Sequence, residues 1–236
     1  MLFLRDSVLR IQSSRSLVDS FFTECGKVGT QSLWVVSIVS IFTGGVSAMQ
    51  TTYALSSPII QDYIIGMVVR DTVFSLIPTL IALVFAGKVG SRISGELGSM
   101  KVSEQIDALE IIGVNPVSFL VLPKILASLL MVPVLIVLSI FISLLSGYLS
   151  CIGFELISGT DYVAGIRSDF QSFNITIALI KAVTYGFIVS SISSFSGINT
   201  QGGALEVGHS NTKAIVKSSI AILVSEYLIT NFYGVN

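Results

Sequence analysis

Hydrophobic positions in this chain come in long, nearly unbroken stretches, and polar residues are confined to short intervals between them. Uncharged runs extend over Val28 to Gln61, Ile125 to Phe154 and Ala182 to Leu205, each longer than the roughly 20 residues that cross a bilayer core. Pro58, Pro116 and the Gly-rich 197–208 region mark breaks. The pattern predicts five transmembrane spans, at 31–55, 72–97, 118–149, 172–196 and 212–234. Before the first span, Arg5, Asp6, Arg10, Arg15 and Asp19 interrupt any signal-peptide core. Leu4, Val8, Ile11, Val18 and Phe22 instead fall near one helical face, so residues 1–27 read as an interfacial elbow helix, with a frayed basic segment as the alternative.

A different pattern occupies Gly98 to Pro116. Val102, Ile106 and Leu109 share one helical face while Glu104, Asp107 and Glu110 occupy others, with Ser103 available as an N-cap and Gly113 and Pro116 as the end. This predicts a short amphipathic helix over 101–113. Anionic lipid would repel its three acids, where basic residues are the expected choice. The charge pattern therefore favours docking onto another protein over a solvated loop helix.

Composition agrees with the periodicity. The 236 residues are 52% hydrophobic and 11% charged, with a mean hydropathy of +0.86, whereas a soluble domain is about a quarter charged. The formal net charge of -1 argues against a nucleic-acid partner, which would require a clustered basic face. Lysine and arginine set the orientation: with the N-terminus in the cytoplasm, Arg5, Arg10, Arg15, Lys27, Lys88, Arg92, Lys101, Lys124, Lys213 and Lys217 fall on that side, and Arg70 and Arg167 fall outside. The N-in, C-out topology places the acidic helix in the cytoplasm and puts Cys25 and Cys151 at opposite faces, where they cannot pair. One histidine, His209, in a glycine-rich loop and no close cysteine pair leave no metal site; a solvated or capping role suits His209.

Three further patterns bear on function. Ala86, Gly90, Ser94 and Gly98 recur every four residues, beside a second row of Gly87, Ser91, Gly95 and Ser99; in lipid such faces let helices approach closely. Span one carries Ser37, Ser40, Gly44, Ser47 and Thr51 at spacings of three or four, with Gln50, Thr52 and Tyr53 near its outer end. That row is either a helix contact or the wall of a lipid cavity, in which Ser47, Met49, Gln50, Thr51, Tyr53 and Leu55 would line the pocket and Ile59 would flank it. Lys181 and Glu226 lie about 22 and 20 Å from the cytoplasmic loop at 1.5 Å per residue, matched in depth on antiparallel neighbours. A charge at such depth needs a partner, so a buried ion pair is expected. No GxxxxGK[ST] loop is present, and "GINTQGG" lacks the lysine and hydroxyl that grip phosphates. With no Ser/His/Asp set either, any energy-driven work must draw on another subunit.

"AGKVGSRISGELGSMKVSEQIDALEIIGVNPVSFLVLPKILA", Ala86 to Ala127, closely resembles the signature of the MlaE-type permeases, the membrane subunits of ABC transporters that work with MCE-domain proteins. The similarity continues through "GGALEVGHSNTKAIVKSSIAILVSEYLIT" and in looser form covers most of the chain. The resemblance implies an all-α integral membrane protein forming a single permease domain over 1–236. It would have an N-terminal interfacial helix, five transmembrane helices and a coupling helix between spans two and three, and would act as a homodimer in the bacterial inner membrane. An ABC ATPase would carry ATP and magnesium below it, this chain binding no cofactor itself, and a periplasmic MCE-domain protein would sit above. The work implied is phospholipid transport between the inner membrane and a periplasmic carrier path; a non-transporting scaffold and a small-solute ABC permease are the competing readings. On the same resemblance Glu104, Gln105, Asp107 and Glu110 would contact the ATPase, Lys181 matches a family lysine, and Glu226-Tyr227 stands where an acidic-aromatic pair is usual. Two departures stand out. Phe74 to Ile77 precede Pro78 where many members carry Arg-Glu-Leu-Gly, and "EVGHSNT" replaces a Gly-Val-Gly-Arg-Ala-Thr-Thr run.

Overall fold

The computed structural model describes residues 14–55, 62–168 and 170–234. Among them every element is helical and no strand occurs. The order is α1 (Ser14–Ala54), α2 (Tyr63–Phe85), a π-helical turn (Ala86–Gly90), α3 (Ser91–Val102), α4 (Gln105–Ile111), a second π-helical turn (Val117–Val121), α5 (Leu122–Gly153), α6 (Gly159–Arg167), α7 (Ser172–Ile198) and α8 (Ala204–Gly234). Five helical stretches are long and apolar enough to cross a membrane: Val18–Ala54, Tyr63–Val102, Val117–Gly153, Phe173–Ile198 and Ala204–Tyr233. The chain is thus a multi-pass membrane protein.

Each expected span is found, and several run well past their apolar segments. Helix α1 continues without interruption through 27–31, where the elbow was expected to hand over to span one; residues 1–13 lie outside the described residues, as do Pro58 and Ile59. A helix satisfies its backbone internally whether lipid or water surrounds it, so loss of hydropathy does not end it. Span two shows this best: α2, the π turn and α3 form 40 residues of continuous helix, about 60 Å at 1.5 Å per residue, with Pro78 inside it. His209 is corrected by the same logic. The Gly-rich interval ends at Gly203, and His209 lies exposed within α8 rather than in a loop. Helix α6, after the third span, was not anticipated at all.

The chain packs as two compact units. The first comprises Met1–Ser32, Ala82–Pro133 and Val183–Asn236, and the second Leu33–Ile81 and Val134–Ala182. In the first unit α3 lies along α8. A methyl added at Gly90 would meet Ser193 Oγ at 2.9 Å and Val189 at 3.2 Å, and one at Gly98 would meet Thr200 and Val207 at 3.2 Å. In the second unit the α1 and α5 backbones touch at Gly44, where a methyl would overlap the Ser143 carbonyl group. Two hydroxyls bridge the same contact: Ser143 donates to the Ser40 carbonyl at 2.8 Å and Ser146 to that of Ile41 at 2.5 Å.

Helix α6 is locked into the second unit. Gly66 and Gly165 bring it against α2 with no room for a side chain at either position, and the buried Tyr162 donates to the Leu144 carbonyl of α5 at 3.1 Å. Arg70, only 2% exposed, donates to the carbonyls of Ile166 at 3.1 Å and Ser168 at 2.6 Å. These are carbonyls at the C-terminus of α6, which lack helical partners and carry the negative end of its dipole. Asp71 balances the charge through Arg70 Nε at 2.9 Å, and Phe170 lies under the guanidinium at 5.9 Å. An arginine counted from sequence as an outside charge is therefore a helix cap.

Candidate functional site

The amphipathic segment after span two is where exposed charge and exposed apolar surface meet. Helix α3 ends at Val102 with Ser103 as its C-cap. Ser103 donates back to the Ser99 carbonyl at 2.7 Å, so it closes one helix instead of capping the next. Glu104 takes that place, with φ +60°, and its side chain makes no capping bond. A left-handed residue reverses the chain between two helices at a cost few side chains meet. Helix α4 then runs only from Gln105 to Ile111. Its end is a glycine turn: Gly113, at φ +87°, donates to the Glu110 carbonyl at 3.0 Å and Val114 to that of Leu109 at 2.9 Å.

Ile106, 1% exposed, anchors α4 to the first unit. Glu104, Gln105 and Glu110 point to the outside, while Asp107 is half-buried and ion-paired with Lys101. Beside these acids, Ile111 and Ile112 are 87% and 76% exposed. An apolar groove of about 270 Å³ runs along the helix between Met100, Ala108, Leu109, Ile112, Phe119 and Leu120. Beyond the groove Asn115 accepts from the backbone of Val117 at 3.0 Å and fixes the turn into span three. Exposed isoleucines ringed by carboxylates form a surface suited to a protein with apolar and basic features.

Behind α4 the first unit holds a charge network. Lys124, 4% exposed, binds Glu24 at 3.0 Å and Glu96 at 2.6 Å. Arg92 reaches Glu24 at 3.3 Å, and Lys27 bridges Glu24 at 3.1 Å and Glu96 at 3.7 Å. Three helices, α1, α3 and α5, are joined here. Sequence reasoning used these cations for orientation, not for pairing. The local signal was Glu24 and Lys27, three residues apart on a helix face.

The other expected site residues distribute as follows. Ala86, Gly90, Ser94 and Gly98 are all buried, Gly90 and Gly98 on the side that faces α7 and α8. Of the lipid-pocket set, Ser47 and Thr51 are buried, Met49 and Leu55 are half-buried, and Gln50 and Tyr53 are exposed on other faces of α1. Lys181, 3% exposed, lies in the second unit. Glu226, in the first, accepts from Tyr185 and, at 3.1 Å, from Thr230.

Comparison with known proteins places this arrangement. The family described as Permease MlaE matches residues 21–232. A probable ABC transporter permease protein of Rickettsia prowazekii is 36% identical over 206 residues, covering 87% of this chain and 80% of that protein. A probable ABC transporter permease protein of Synechocystis is 32% identical over 203 residues, covering 86% and 77%. The Arabidopsis thaliana chloroplastic protein TRIGALACTOSYLDIACYLGLYCEROL 1 is 30% identical over 226 residues, covering 96% and 65%. With its five apolar helices and a match over nearly its whole length, the chain belongs to the MlaE permease family.

Proposed function

We propose that this chain is the membrane subunit of an ATP-driven MCE-type transporter that moves phospholipid between the bacterial inner membrane and a periplasmic carrier path. An ABC permease is a transporter's membrane subunit and works with an ABC ATPase. The finer reading adds a homodimer, a periplasmic MCE-domain partner, a cytoplasmic N-terminus and a periplasmic C-terminus. ATP and magnesium are bound by the partner ATPase. Lipid as cargo fits the family and one relative named for trigalactosyldiacylglycerol.

The observation that carries the proposal is α4. It is short, set off from α3 by the left-handed Glu104, anchored by Ile106 and open on its acidic and isoleucine faces. Nucleotide-driven closure of the ATPases would push α4, and the push would pass into the continuous span-two helix that packs on α8. Lipid would leave a cavity between two protomers, with Gln50 and Tyr53 available on an open face of α1. Pairing of Lys181 with Glu226 belongs to the same proposal, as a buried contact of either structural or moving elements.

Reversing charge at α4 tests the docking step. Glu104→Lys with Asp107→Lys should abolish co-purification of the ATPase while the permease still inserts and runs as a folded species in detergent. Retention of a full complement of ATPase would sink the coupling role of α4. Mass spectrometry of lipid bound to the native complex, with lipid-dependent ATP hydrolysis after reconstitution, separates a lipid transporter from a scaffold and from a small-solute permease.

A further inference from the structure

Two lysines of the first unit stand apart from its other cations. Lys27, Arg92, Lys101 and Lys124 each meet a carboxylate, and Lys88 donates to the Gln31 carbonyl. Lys213 and Lys217 meet no carboxylate within ion-pair distance among the described residues. They lie four residues apart on α8, where like charges repel each other. Both line a polar cavity of about 380 Å³ formed by the end of α7, the 199–203 turn and the start of α8. This cavity lies near α3, whose Gly98 contacts Thr200 and Val207.

The donors and acceptors of the cavity can be counted. Ser210 and Thr200 both spend their protons on the Ser196 carbonyl, at 2.7 and 3.1 Å, leaving oxygen lone pairs as acceptors. Asn199 donates one amide hydrogen to the Phe195 carbonyl at 2.8 Å and keeps another, and Gln201 adds a further amide. Glu206 is the one acid in the lining. Two ammonium groups and one carboxylate leave a single positive charge, with amide donors beside it and hydroxyl acceptors behind. That set fits a monoanionic phosphodiester whose substituent carries hydroxyl groups.

The surface beyond the cavity selects the source of the phosphate. Val216, Ile220 and Val224 continue the Lys213–Lys217 face along α8 at helical spacing, each about half-exposed, and Phe195 in the cavity lining is 51% exposed. Head-group chemistry therefore leads directly into an acyl-chain track. Free phosphate would have no use for that track. We propose that the Lys213–Lys217 cavity binds the head group of an anionic glycerophospholipid, of the phosphatidylglycerol type, drawn from the leaflet at the α4 end of the helices. The site does not depend on the transport reading, because binding is read on the isolated permease.

The test is the thermal shift of the purified full-length permease in neutral detergent, titrated with phosphatidylglycerol, phosphatidylcholine or inorganic phosphate. Phosphatidylglycerol should stabilise the wild-type chain at concentrations about tenfold below those needed with phosphatidylcholine, given the attraction of two lysines for one anionic head group. Lys213→Gln with Lys217→Gln should remove that preference, and Lys213→Arg with Lys217→Arg should keep it; both lysines are exposed, so neither pair disturbs a packed contact. Equal response to the two lipids, an undiminished preference in the glutamine variant, or an equal shift with inorganic phosphate would each overturn the proposal.

Discussion

Lys124 shows what a single side chain does in this fold. Its ammonium is almost wholly buried and lies between Glu24 and Glu96; removing it takes the one buried cation from both carboxylates and leaves them to the partly exposed Lys27 and Arg92. Breaking a buried pair from one side is expensive because the remaining charge stays desolvated. Lys124→Met should therefore destabilise the permease by about 3 kcal/mol, read as a lowered midpoint of thermal unfolding in detergent. Lys27→Met removes contacts to the same acids from a partly exposed position, and its cost should stay below about 1 kcal/mol. Equal losses for the two would mean that burial is not what makes the network matter. Apart from Glu24 with Lys27, three residues apart on α1, these pairings could not be read in advance, since residues 24, 96 and 124 become neighbours only when three helices pack. Ser103 was misjudged for a related reason: α4 begins at Gln105 with Glu104 in the cap position, one residue too late for Ser103, whose hydroxyl donates back to the Ser99 carbonyl.

Elements were more legible than contacts. Hydropathy located all five spans because a membrane helix must be apolar for its whole crossing, a constraint that acts through composition. Helix ends were less visible, because polar residues can extend a helix beyond the lipid, as they do at the start of α8. The small residues illustrate a further limit. Sequence spacing marks a row but does not say which glycine faces a neighbour. In the structure the backbone of α5 covers Gly44, while nothing lies within 4 Å of a methyl at Gly87. Gly44→Ala must push α1 and α5 apart and should cost about 2 kcal/mol, measured as loss of thermal stability. Gly87→Ala should be neutral or slightly stabilising, given the poor helix propensity of glycine. Helix α6 escaped notice because it is amphipathic over only nine residues, Gly159–Arg167, shorter than the window in which a helical period can be recognised. It is held by Arg70, by the Gly66 contact and by its own Tyr162 on Leu144, with Arg70 and Gly66 distant from it in the chain.

At the scale of the whole molecule, family membership and the membrane-spanning class follow from features spread along the entire chain, which is why sequence carried them well. The expected orientation rests on a cation count, and the proposed ATPase contact rests on one short helix; both call for direct tests. The structure supplies a means for the first. Cys25 and Cys151 are free and both buried, so the natural chain offers almost no thiol to an aqueous reagent and serves as its own background for labelling. A cysteine placed at exposed Gln201 should react with a membrane-impermeant maleimide only in inverted vesicles, and one at exposed Thr160 only in intact spheroplasts. The opposite accessibility would invert the N-in assignment, and with it the side from which any ATPase could reach α4.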